Sequence, residues 1–157
     1  LFRSMIYGDY ALSYGSVCSF SDSLEVFEFN LVRNLLWGIL PTVEGVELSE
    51  LNGEHAQEYM DILKRVVEFH KVNKELILYG RLKEIPQYNC ENIEISWFIK
   101  GEKYTKEYPG VMATVWEDKD SNKVAILYNF KDEQKTVIIQ NMEIHVLGKS
   151  FKRLYLK

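Results

Sequence analysis

Apolar residues recur at spacings of three and four before residue 86, and mostly at spacings of two after residue 92. Leu24, Phe27, Leu31 and Leu35 share one face of a helix predicted over residues 23–34. Asp22 serves as its N-cap, and Glu25 three residues on completes a capping-box spacing. A longer stripe of Ala56, Tyr59, Met60, Leu63, Val66, Val67 and His70 predicts a helix from Gly53 to at least Phe69, with Asn52 as N-cap. Its periodicity carries on to Ile77 and Tyr79, with room for a break at Val72-Asn73 and a stop at Gly80. Residues 3–7 and 35–40 have the length and composition of strands. The resulting order of strand, helix, strand, helix is the grammar of a parallel α/β sheet, and the second helix is expected to pack on the strand at 35–40.

The second half reads as antiparallel β. Runs rich in β-branched and aromatic residues occupy 93–100, 111–116, 123–130, 135–140, 142–147 and 151–156, separated by polar turns. Lys131-Asp132-Glu133-Gln134 reads as the loop of a hairpin joining 123–130 to 135–140. Val124 to Phe130 leaves little polar surface on either face and is expected to be central. Pro86 and the polar Gln87-Tyr88-Asn89 favour an extended link, so the boundary is placed between Leu82 and Asn92.

Composition narrows the classes of function. Of the 157 residues, 46% are hydrophobic and 13% aromatic, too many for a disordered acidic tail. Nineteen Lys and Arg against 23 Asp and Glu leave no basic surplus, so no nucleic-acid partner is expected. No apolar run reaches the ~18 residues of a membrane-spanning helix, and no membrane partner is expected. The chain opens on Leu1 without a long apolar segment behind it, as if taken from something longer. Cys18 and Cys90 match no metal or redox spacing and read as two separate thiols.

His55, His70 and His145 are scattered, and His70 on the apolar stripe reads as a satisfied core histidine. The glycines match no nucleotide fingerprint, and the serines lack a nucleophile elbow, so no cofactor or metal is implied. Two carboxylates stand out by position. Asp9 follows the first predicted strand and Glu44 follows the second, the places where parallel α/β folds gather functional groups. Side by side they would suit glycosidic cleavage, which requires two carboxyl groups ~5–10 Å apart. Equally, Asp9 can cap a turn and Glu44 can be a solvated loop residue. Tyr7, Tyr10 and Trp37 offer flat faces with polar edges that suit sugar rings, and each can also simply pack in a core.

The order of landmarks is Tyr7-Gly8-Asp9-Tyr10, Leu36-Trp37-Gly38-Ile39-Leu40-Pro41, Leu78-Tyr79-Gly80-Arg81-Leu82, Val115-Trp116 and Val124-Ala125-Ile126-Leu127-Tyr128-Asn129-Phe130. It resembles the C-terminal part of glycoside-hydrolase-like proteins of the DUF6259 type, and more distantly the alpha-galactosidase-like clan. The resemblance implies α/β followed by all-β: residues 1–86 as the last two βα units of a TIM-type (β/α)8 barrel, and residues 87–157 as an antiparallel β-sandwich domain. It further implies a carbohydrate substrate, a glycoside hydrolase as parent, and a missing N-terminal part of the same chain. The fragment alone would then be inactive. The resemblance carries over no catalytic residue: Asp9 and Glu44 as catalytic candidates, and Tyr7, Tyr10 and Trp37 as substrate-binding ones, rest on their positions at the strand ends alone. The competing expectation is a non-catalytic carbohydrate-binding or structural α+β module.

Overall fold

A computed structural model of the chain describes residues 13–14, 17–44, 53 and 55–156. Strand β1 (Ser13–Tyr14) leads to helix α1 (Leu24–Leu36) and strand β2 (Ile39–Leu40), which pairs parallel with β1. The N-cap of α1 is Ser23, one residue past the expected Asp22: its hydroxyl accepts from the Val26 N–H at 3.4 Å. Asp22 instead accepts from the Ser19 N–H in the preceding turn. The helix continues through Leu35 and Leu36, both fully buried, and ends at Trp37. Half of the expected strand at 35–40 is therefore the last helical turn. Gly38 follows in the left-handed region at φ 68°, and a Cβ there would stand 2.6 Å from the Trp116 ring.

Helix α2 (Ala56–Val72) starts from His55, and the break falls at Asn73, before helix α3 (Lys74–Tyr79) stops at Gly80. The Asn73 side-chain amide donates to the Phe69 carbonyl at 2.9 Å, a local bond that competes with helix propagation. The expected N-cap Asn52 lies outside the described residues. The buried face of α2 is Ala56, Ile62 and Val66, with Tyr59, Leu63 and Val67 half-buried. Met60, expected inside, is exposed, and Ile62 takes the inward position. Rather than lying along β2, α2 packs on α1, where the rings of Phe20, Phe27 and Tyr59 meet within 5.5 Å. The Tyr59 hydroxyl donates to the Asp22 carbonyl at 2.6 Å and ties the two helices at their N-terminal ends.

The remaining strands are β3 (Arg81–Glu84), β4 (Asn92–Ile99), β5 (Glu102–Pro109), β6 (Val111–Glu117), β7 (Lys123–Asn129), β8 (Lys135–Ile139), β9 (Met142–Val146) and β10 (Ser150–Tyr155). Four of them form an antiparallel sheet in the order β10-β7-β6-β3, while β4-β5 and β8-β9 are separate two-stranded ribbons. Strand β7 is central, and from Val124 every residue of it is buried. Its Val124, Ile126 and Tyr128 join Trp116 and the helices in one core. Its Ala125 and Leu127 face the other way, joining Val111, Ala113 and Val115 under the β8-β9 ribbon. The protein is thus layered as helices, sheet and ribbon. Cys18 is buried in the helix-side core and Cys90 half-buried against the second core, so no disulfide joins them, and burial pushes the Cys18 thiol up to about 11.

This architecture overturns the expectation of a TIM-barrel end followed by a β-sandwich. The described chain is an α+β fold with one strand–helix–strand unit, β1-α1-β2, and its other sheets are antiparallel. The predicted strand at 3–7 lies outside the described residues, and the apolar faces of the helices are covered by the antiparallel sheet rather than by parallel neighbours. The expected hairpin across residues 131–134 is also absent. Asn129 turns the chain out of the sheet there, its amide donating to the carbonyls of Glu133 and Val146 while its oxygen accepts from the Lys131 N–H. The chain crosses to the ribbon layer, and β7 pairs with β6 and β10 instead. Gly38→Ala should destabilise the protein by about 2–4 kcal/mol in urea unfolding, combining left-handed strain with a clash against Trp116.

Candidate functional site

Trp37 is half-buried against the helix-side core, with the Arg33 guanidinium 5.3 Å from its ring centre, and its indole N–H is buried without a hydrogen-bond partner. Glu44 is exposed, and its backbone N–H donates to the Cys18 carbonyl at 3.1 Å. Trp37 precedes β2 and Glu44 follows it, so they sit at opposite ends of that segment. Asp9, Tyr7 and Tyr10 lie outside the described residues. His70 is not the satisfied histidine expected: its Nε2 is buried without a partner, and burial lowers its pKa.

The strongest polar cluster is elsewhere. Glu28, buried in α1, accepts from the Tyr128 hydroxyl at 2.5 Å and from Arg65 at 3.1 Å, and its other oxygen accepts from the Lys149 ammonium at 2.6 Å. Arg65 also donates to the Tyr128 oxygen at 2.6 Å. Burial, and then the adjacent Glu28 carboxylate, push the Tyr128 phenol well above its ordinary pKa, so it stays a donor at every working pH. Each oxygen of the carboxylate has a cation or hydroxyl on it. That describes a structural clamp between layers, with no free acid or base for chemistry.

An open cleft lies where α3 and the end of α2 meet β10 and the turn between β6 and β7. The cleft has a volume of about 300 Å³, and Asn73, Tyr79, Asp118, Arg153 and Tyr155 are among its lining residues. Phe151, Arg153 and Tyr155 occupy alternate positions of β10 opposite Tyr128, Ile126 and Val124, on the helix-facing side of the sheet edge. Arg153 donates to the Asn73 side-chain oxygen at 3.0 Å and to the Tyr155 hydroxyl at 3.1 Å, and lies 5.4 Å from the centre of the Tyr155 ring. Its fork is thereby held in one orientation at the cleft wall. The two tyrosines remain largely open to solvent, Tyr79 at 75% and Tyr155 at 57%.

Across the turn, Asp118 accepts from the N–H groups of Asp120 and Asn122, and the Asn122 bond leads in holding its carboxyl below the ordinary carboxylate range. A second groove adjoins the cleft through Val72, Asn73 and Arg153, floored by the Phe69 and Phe151 rings stacked 4.3 Å apart. Among the described residues, no group of three or more His, Cys, Asp or Glu is placed to hold a metal. The cleft unites a helix end and a strand far apart in sequence. The one signal for it was Tyr155 in alternation with Arg153 and Phe151.

No family model matches the chain, and neither curated proteins nor solved structures give a match.

The Glu28 cluster makes an asymmetric prediction. The Arg65 and Lys149 side chains are 31% and 37% exposed and can turn to water, whereas that of Glu28 is 6% exposed and cannot. Glu28→Gln should therefore cost about 1–2 kcal/mol, and the double change Arg65→Met with Lys149→Met about 3–5 kcal/mol, both read by urea unfolding.

Proposed function

We propose that the chain is a non-catalytic carbohydrate-binding module, and that the cleft between α3 and β10 is where it takes an oligosaccharide. The observation that carries this reading is the pair of exposed tyrosines, Tyr79 and Tyr155, sharing a cleft with an oriented guanidinium. A sugar ring presents C–H groups on its faces and hydroxyls around its rim. An aromatic face serves the first, and fixed planar donors and acceptors serve the second. Tyr155 is set beside Arg153, which Asn73 holds from behind, so a ring lying on the tyrosine has a guanidinium at its edge. Asp118 adds a carboxylate acceptor across the cleft.

Exposed tyrosines also carry a cost when unoccupied, because each leaves a large apolar surface in water; covering them with a ligand recovers it. Their polar tips explain why they are tolerated in the free protein. Binding of this kind needs no acid–base pair, so the reading stands apart from any role of Asp9 or Glu44.

Titration by heteronuclear NMR against a panel of soluble oligosaccharides should show shifts confined to the cleft. Tyr155→Ala and Tyr79→Ala should each weaken binding by about three- to tenfold, the size of an aromatic contact, without moving the thermal midpoint. Absence of any saccharide-induced shift at millimolar ligand would sink the proposal.

A further inference from the structure

The β4-β5 ribbon stands off the helix-side core on Ile93, Ile95, Trp97 and Tyr108, and its second strand is open. Apart from the half-buried Tyr108, every residue of β5 is exposed, and among the described residues β5 pairs only with β4. An open edge of this kind is a template for another strand, and proteins usually guard it with unmatched charge, proline or a bulge. Proline appears in β5 only at its last position, Pro109, and the pairing with β4 runs without a bulge.

The turn fixes which groups face outward. Lys100 and Gly101, at φ 52° and 85°, form a two-residue turn with both residues left-handed. Such a turn makes the flanking Ile99 and Glu102 a hydrogen-bonded pair, and bonded pairs then recur at alternate positions of the ladder. Tyr104, Lys106 and Tyr108 spend their backbone groups on β4. Lys103, Thr105 and Glu107 turn theirs away from it.

We propose that this edge pairs with a second copy of itself, antiparallel, about a two-fold axis through Thr105, making one continuous sheet β4-β5-β5-β4. In this register Thr105 faces Thr105 of the second copy, and Lys103 and Glu107 face Glu107 and Lys103. All three residues have outward backbone groups, so each facing pair exchanges its N–H and C=O. The side chains agree with the backbone. Both ends of the contact set a lysine against a glutamate. Within one copy Glu107 lies opposite Glu94, a like-charged pair, and the incoming Lys103 lies on its other side. Thr105, bonded to Ser96 at 2.8 Å, extends a row of hydroxyls across the axis. On the opposite face, Tyr104 meets Lys106 of the second copy.

A shift by one residue in one direction would oppose Lys103 to Lys106 and Glu102 to Glu107, and in neither direction does a one-residue shift match outward backbone groups. The other open edge, that of β4, turns out Glu94, Ser96 and Phe98, which give no opposite charges in any register. Complementarity thus singles out β5 and a second copy as occupant.

Sedimentation equilibrium of the 157-residue chain, from ~10 μM to ~1 mM, should show a reversible monomer–dimer equilibrium. Thr105→Pro removes an outward N–H that serves no bond within the ribbon, and should leave the chain monomeric. Since that change also removes the hydroxyl bonded to Ser96 within the ribbon, charge reversal provides the independent arm. Lys103→Glu should weaken the dimer about tenfold, and Lys103→Glu together with Glu107→Lys should restore it. A chain that stays monomeric at ~1 mM would overturn the proposal. So would a dimer indifferent to Thr105→Pro, or one that the double reversal leaves as weak as the single.

Discussion

A carboxylate that cannot reach water dictates how the layers of this protein fit together. Glu28 lies inside α1, and its compensating groups arrive from α2 (Arg65), β7 (Tyr128) and the turn before β10 (Lys149). Tyr128 is 100 residues away in sequence. Desolvating a carboxylate is tolerated only when its lone pairs are met with good geometry, so a helix slipped by one turn, or a sheet docked in another register, would leave it unpaired. An apolar side chain could fill the same volume with similar stability. What the charge adds is a single acceptable arrangement.

Around that clamp, β7 works as a partition. Its alternate residues feed two separate cores, one shared with the helices and one with the β8-β9 ribbon. The division explains why the chain leaves the sheet after Asn129 instead of turning back along it. A hairpin neighbour in the sheet would have left the second face of β6 and β7 wet, whereas crossing over lets β8 and β9 cover it. The Asn129 side chain supplies the bonds that make this corner.

Much of the local structure could be read from the sequence because it rests on local chemistry. The break at Asn73, the stop at Gly80 and the central place of Val124 to Phe130 all follow from residues next to one another. Ser23 displaced Asp22 as N-cap by a single position, a difference that periodicity does not resolve. The larger error concerned partners. Leu35 and Leu36 are apolar enough for a strand, but their burial comes from a helical turn, and that turned a parallel reading into one unit of an α+β fold. Strand β5 escaped notice because Glu102, Lys103, Thr105, Lys106 and Glu107 carry no apolar alternation; it is a strand through pairing alone. The cleft was hidden for a related reason: Tyr79 and Tyr155 read singly as a helix end and a strand end, and only the packing of α3 beside β10 brings them together.

The ribbon that seals the second core closes through Gln140 and Asn141, both left-handed at φ 50° and 64° and neither a glycine. Each such residue stores backbone strain, though asparagine tolerates the conformation better than most. The helix side, by contrast, is held by the clamp as well as by packing. Opening of β8 and β9 alone would leave the clamp and the pairing of β7 intact. Lifting that unit uncovers Val111, Ala113, Val115, Ala125 and Leu127 on adjacent strands, a flat apolar surface with no charge on it. Strain in that one turn therefore bears on whether an uncharged apolar face stays hidden from other molecules.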